Sequence, residues 1–147
     1  MSDLPVRLPH TWRPLGPRVA GAVAGGVLVV MMVFLWVGFD AETRAAVSPL
    51  QRGTVIGIGL LVLACLYAMG RSRVTADTER LTVVNGYRRR DFAWAQVVAV
   101  RLPPGAPWVT LDLADGSTCA AMGIQGSDGG RARTAVRDLK VLLERLS

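Results

Sequence analysis

Cysteine and histidine are nearly missing from this chain, with two of the first and one of the second among 147 residues. Their scarcity removes several functions at once. Cys65 sits inside a long apolar run and Cys119 far from it in the C-terminal half, so neither a disulfide framework nor a thiolate metal site is expected. His10 stands alone in a proline-rich N-terminal stretch without a Cys/Asp/Glu cluster beside it, which argues against a metal. Ser117, Ser127 and Cys119 have no histidine in the same half of the chain to activate them. Asp112 and Asp115 fit strand and turn positions, and "GIQGSDGG" lacks the lysine and spacing of a phosphate-binding loop. The expectation is a protein that is not an enzyme and holds no cofactor and no metal. A basic chain, net +6, raises nucleic acid as a partner, but there is no helix-turn-helix pattern and no interleaved aromatic platform, so none is expected.

Charge is missing from two long stretches. Val19 to Phe39 is 21 residues without a charge, enough at about 1.5 Å per residue to cross a hydrocarbon core of about 30 Å. Gly53 to Gly70 adds 18 more between Arg52 and Arg71. The first run is longer than the apolar part of a signal peptide and no small-residue cleavage motif follows Phe39. The remaining polypeptide is too small to surround two helices apolar on every face, so the pair reads as a transmembrane α-helical hairpin. Gly21 and Gly25, and likewise Gly53 and Gly57, have the small-xxx-small spacing that brings two backbones close, making them helix-packing candidates within the hairpin or toward a partner. Arg7, Arg13 and Arg18 precede the first span, Arg71 and Arg73 follow the second, and the connecting loop carries Arg44 and Arg52. The excess of positive residues outside the loop places both termini in the cytoplasm. The expected location is the cell membrane, multi-pass, with residues 1–18 a cytoplasmic tail, 19–70 the hairpin and 71–147 a cytoplasmic domain.

That domain reads as strands followed by a helix. "LTVV" and "YRRRDF" flank Asn85-Gly86, and "WVTLDL" and "STCAAM" flank Asp115-Gly116, both two-residue hairpin signals. The first would pair Val83 with Arg88 and Leu81 with Arg90, leaving Arg89 on the other face; the second would pair Leu113 with Thr118, Leu111 with Ala120 and Val109 with Met122. Between them, Val97 to Leu102 is a strand closed by Pro103, Pro104 and Gly105. At the end, Ser127 or Asp128 can cap a helix whose Ala132, Val136, Leu139, Leu143 and Leu146 share one stripe. Antiparallel strands and one amphipathic helix make a small open barrel or curved sheet closed by that helix, an α+β domain.

With two spans ahead of it, the run "GYRRRDFAWAQVVAVRLPPGAPWVTLDLADGSTCAAMGIQGSDG" and the final helix resemble the actinobacterial membrane-anchored bacterial PH-domain proteins, the group like low-molecular-weight protein antigen six. The resemblance extends from Val19 to the end. It implies a PH-like fold for the C-terminal segment and carries over no catalytic residue. Ala93 stands where such sequences often have proline before the tryptophan. Sixteen of the 17 basic residues are arginine, which suits a GC-rich actinobacterial genome.

Arg88, Arg89 and Arg90 are the candidate binding residues. Charge runs commonly solvate a strand face, and a domain tethered at Arg71 would hold this one near anionic headgroups in any case. The sharper reading is an anion or partner site, for a lipid phosphate or an acidic protein, since planar guanidinium groups suit both. The function expected is a non-catalytic, membrane-anchored PH-like interaction or scaffold module that binds a protein partner or anionic lipid. The alternative is an accessory subunit of a larger membrane transport or respiratory complex, attached through its two spans. For the topology, a cytoplasm-active reporter fused after Ser147 should be active and one inserted near Ser48 silent; the opposite pattern would put the domain outside the membrane.

Overall fold

The computed structural model describes residues 4–147. Two long helices, α1 (Leu15–Gly38) and α3 (Pro49–Arg71), are joined at their far end by a short one, α2 (Ala41–Ala46). Both are long and apolar enough to cross a membrane. Their turn is tightly specified. Asp40 accepts from the Thr43 N–H at 2.7 Å and caps α2, while Ser48 and Gln51 form a reciprocal capping box ahead of Pro49. Arg44 donates to the Phe39 carbonyl, and Arg52 to the carbonyls of Val47 and Arg44, so both loop arginines serve helix ends.

The helices contact each other along a glycine seam. A side chain at Gly21 would lie 3.5 Å from the Leu66 carbonyl oxygen, and one at Gly25 would lie 3.2 Å from Leu63. From the other helix it is Gly59 that fits this seam, against Met32 at 3.3 Å. Gly53 and Gly57 have nothing within 4 Å and do not pack within the hairpin. Gly59, Leu63 and Leu66 share one helix face, and Gly57 lies about 200° of helical rotation from Gly59. The outward faces stay bare of protein: Phe34 is 77% exposed and Leu61 65%.

The domain has two antiparallel sheets. The first runs β1 (His10–Trp12), β2 (Arg73–Ala76), β3 (Arg80–Asn85), β4 (Arg88–Ala93), and the second β5 (Val97–Arg101), β6 (Trp108–Leu113), β7 (Thr118–Gln125). β7 lies against β2 and β3, and helix α4 (Gly130–Leu146) packs on β5 and β7. Val74, Leu81, Val109, Leu111, Leu139 and Leu142 are fully buried between them. Trp94, in a helical turn between β4 and β5, is buried while its indole N–H donates to the Asp77 carbonyl at 2.9 Å. In that turn the Ala93 N–H donates to Gln96 Oε1 at 2.8 Å, a bond that proline at this position could not make. Residues 10–12 are therefore not part of a separate tail. They form an edge strand, with Thr11 opposite Thr75, and α1 starts four residues before Val19.

Both hairpins depart from the expected register, each for a local reason. In the first, Asn85 is the last strand residue and pairs with Arg88, so Gly86-Tyr87 is the two-residue turn. Only Gly86 has positive φ, +59°, as a type II′ turn requires at its first central position. Val83 consequently faces Arg90 and Leu81 faces Phe92; because the shift is even, each residue keeps its face. In the second, the Asp115 carboxylate accepts from the Ser117 N–H and hydroxyl, and Gly116 takes φ +82°, which makes a three-residue turn over Ala114–Gly116. That odd shift pairs Leu111 with Cys119 and Val109 with Ala121, so Cys119 and Ala121 go into the core in place of Ala120 and Met122. On α4, neither Ser127 nor Asp128 caps the helix: Gly129 occupies the N-cap. The buried stripe is Ala132, Ala135, Leu139, Leu142 and Leu143, with Val136 and Leu146 at its margins.

Gly123 of β7 lies tight against the β2 backbone of the other sheet. A Cβ there would lie 2.5 Å from the Arg73 backbone. Gly123→Ala should destabilise the domain by about 2 kcal/mol or more through overpacking, whereas Gly130→Ala, with nothing within 4 Å, should be neutral or slightly stabilising. Thermal melts of the two variants beside the parent chain check this.

Candidate functional site

Strand β4 ends the first sheet, so one side of it has no neighbouring strand. Arg88, Arg89, Arg90 and Asp91 along it are all exposed. The register divides the three arginines. Arg88 and Arg90 lie on the same face as their partners Asn85 and Val83, toward the second sheet. Arg90 extends over the Phe92 ring, 5.3 Å from its centroid, and lies close enough to Asp115 and Cys119 to act on their charge. Arg89 points away from them and is held by Asp91, with Nε 3.0 Å from Oδ2. Hydrogen bonds from Arg89 and then Thr82 keep Asp91 below the usual carboxylate range. The cluster expected as one site is thus a pair of arginines with the third neutralised behind them.

Asn85 prepares this edge. Its amide donates to the Ala120 carbonyl at 2.6 Å and accepts from the Met122 N–H at 3.0 Å, joining the end of β3 to β7. The side chain that looked like turn chemistry ties the two sheets together. Nearby, burial raises the Cys119 thiol above its ordinary value despite the opposing pull of Arg90, so it is no thiolate nucleophile at neutral pH. Among the described residues no cluster of His, Cys, Asp or Glu has the makings of a metal site.

The domain is fastened to both long helices, by residues whose sequence context marked them for another role or for none. The Gly86 N–H donates to the Ser72 hydroxyl at 3.0 Å, and that hydroxyl donates to the Ala68 carbonyl at 3.2 Å, so the buried Ser72 links the β3–β4 turn to the end of α3. Tyr87 reaches further down and donates to the Ala64 carbonyl at 3.0 Å. The Arg71 guanidinium lies by both aromatic rings, 5.9 Å from Tyr67 and 5.4 Å from Tyr87. On the other helix, Asp128 accepts from the Leu15 N–H at 3.1 Å and the Gly16 N–H at 2.9 Å. The acid expected to cap α4 instead serves the first turn of α1, where free N–H groups and the helix dipole favour an anion. An aromatic beside a turn glycine was the only hint of Tyr87 in the sequence; nothing local marks Asp128, because its partner lies more than a hundred residues away.

Residues 71–141 match a family model described as Bacterial PH domain. An uncharacterized protein of Mycobacterium bovis and two of Mycobacterium tuberculosis strains are each 28% identical to this chain over 137 residues, which cover 93% of it and 86% of the relative. No solved structure matches.

Removing the Asp128 carboxylate tests the clasp. Asp128→Ala leaves two N–H groups of α1 without their acceptor and should lower the stability of the full chain in detergent by about 1–2 kcal/mol, with secondary structure retained. Asp128→Asn keeps an acceptor without the charge and should fall between. Denaturant titration of the three proteins gives the order.

Proposed function

We propose that this chain, whose residues 71–141 match the bacterial PH domain model, is a non-catalytic PH-like interaction module anchored in the cell membrane by its two apolar helices, with its domain and both termini in the cytoplasm. Its working surface is the open edge of β4, where Arg88 and Arg90 meet an acidic segment of a protein partner. What supports this reading is the combination at one edge of unpaired strand backbone and two arginines that face one way. An extended acidic peptide adds its backbone to such an edge and its carboxylates to the guanidinium groups. The same positive charges beside a membrane also attract anionic headgroups. The clasp on α1 and α3 holds the edge at a set height and angle, which suits a scaffold.

A second reading has its own observation. Gly53 and Gly57 lie on a helix face with nothing within 4 Å, open to a close-packed helix of another protein. In that case the chain is an accessory subunit of a membrane transport or respiratory complex and its spans make the decisive contact.

Purification from native membrane in mild detergent, with partners identified by mass spectrometry, separates the two. With Arg88→Gln/Arg90→Gln the partner should be lost, since two basic residues at about 1 kcal/mol each amount to roughly a thirtyfold drop in affinity, and binding by the parent chain should weaken with salt. Arg89→Gln should have a smaller effect because its charge is already matched by Asp91. If the β4 variant keeps its partner and Gly53→Leu/Gly57→Leu loses it, the accessory-subunit reading takes over.

A further inference from the structure

A cavity of about 810 Å³ opens between α1 and α3 on the side of the hairpin where the domain sits, separate from the β4 edge. Glycine makes it: at Gly26 a side chain would meet nothing within 4 Å, and Gly21 and Gly25 leave the wall of α1 bare alongside. The wall extends from Arg18 down to Val30, twelve residues or about 18 Å along the helix. That is close to the depth of hydrocarbon in one leaflet, half of about 30 Å.

Four arginines, Arg13, Arg18, Arg71 and Arg73, line the mouth, and they come from both parts of the molecule. Arg18 and Arg71 belong to the long helices, Arg13 to the link between β1 and α1, and Arg73 to β2. Without the domain docked, half of the rim would be missing. Among the described residues none of the four forms an ion pair or donates a side-chain hydrogen bond to protein. Elsewhere Arg89 and Arg101 meet carboxylates and Arg44 and Arg52 meet carbonyls, while the unpaired arginines of α4 lie exposed along a helix rather than around one opening. Four like charges around one opening repel each other, and an anion between them relieves this while accepting the guanidinium donors.

We infer that this groove is a binding site for one anionic phospholipid, its phosphate among Arg13, Arg18, Arg71 and Arg73 and an acyl chain along the glycine wall of α1. A zwitterionic lipid fits the apolar part equally well but brings a cationic headgroup to a cationic rim. The lipid therefore bridges helix and domain, adding to the contacts of Asp128 and Tyr87. The inference rests on the reading that α1 and α3 lie in a membrane.

The test uses the full chain in mild detergent, offered phosphatidylglycerol and phosphatidylcholine with the same acyl chains, and bound lipid is counted by native mass spectrometry. The parent chain should retain phosphatidylglycerol in preference, one molecule per chain. Arg18→Gln/Arg73→Gln should reduce the preference about thirtyfold at two basic residues removed, while Arg133→Gln/Arg137→Gln on α4 should leave it unchanged. Gly26→Leu, at a position where a Cβ meets nothing within 4 Å, puts a side chain into the groove and should lower retention of both lipids. Glycerol phosphate at the same concentration should not displace the lipid. Equal retention of the two lipids by the parent chain, no effect of Arg18→Gln/Arg73→Gln, or displacement by glycerol phosphate would each overturn the site. A chain that partitions into the aqueous phase on detergent phase separation would instead overturn the membrane reading beneath it.

Discussion

The attachment of the domain to the ends of α1 and α3 is the constraint on which the rest of the molecule depends. Asp128 holds the first turn of α1, and Ser72 and Tyr87 hold the last turns of α3, so both helices are gripped by one small domain. A single bond of this kind contributes about 1 kcal/mol; those of Asp128 and Ser72 satisfy polar groups that a helix end leaves open, and that of Tyr87 adds a second bond to a carbonyl inside α3. Strand β1 adds a third tie, since it enters the sheet just before the chain enters α1. The domain consequently stands on the side of the hairpin where both helices meet its sheets, and the α2 turn is left at the far end.

This arrangement sorts the arginines by task. Those in the α2 turn satisfy helix carbonyls, which commits some of their donors within the chain. On the domain surface, Arg89 meets Asp91 and Arg101 meets Asp112. Among the described residues, Arg88 and Arg90 at the β4 edge, the four arginines around the groove mouth and those on α4 have no carboxylate partner, and all lie on the domain side. The asymmetry that the positive-inside rule counts along the sequence thus reappears as a difference in what the side chains are bonded to.

Apart from the turns, glycine acts through the space it leaves in three ways, and only one of them matches simple spacing. Gly21 and Gly25 make room for Leu66 and Leu63, as a small-xxx-small pair does. Gly26 has no neighbour and leaves an opening. Gly123 lets two sheets come closer than any side chain allows. The pair at Gly53 and Gly57 has the spacing of the first kind without a partner within the chain, because the contact face of α3 is set by Gly59, Leu63 and Leu66.

The two long apolar helices, the strands β3 to β7 and the final helix were legible because each follows from local composition: uncharged length for the first, turn residues and alternation for the strands, helical periodicity for α4; the PH-like class came from the resemblance of the whole run to a known family. The positions of the arginine candidates on β4 were legible too, and so was their division between faces, since an even register shift preserves it. What the sequence could not determine depends on contacts between distant residues. The Asp115-Gly116 turn gains a residue through a carboxylate bond to Ser117, and that one step decides whether Cys119 or Ala120 is buried. Asn85 looks like a turn residue until β7 lies beside it, and Asp128 looks like the cap of the helix that follows it until the start of α1 arrives from the other end of the chain. A polar side chain bonds whichever unsatisfied backbone group is nearest in space, and only the tertiary structure decides which group that is.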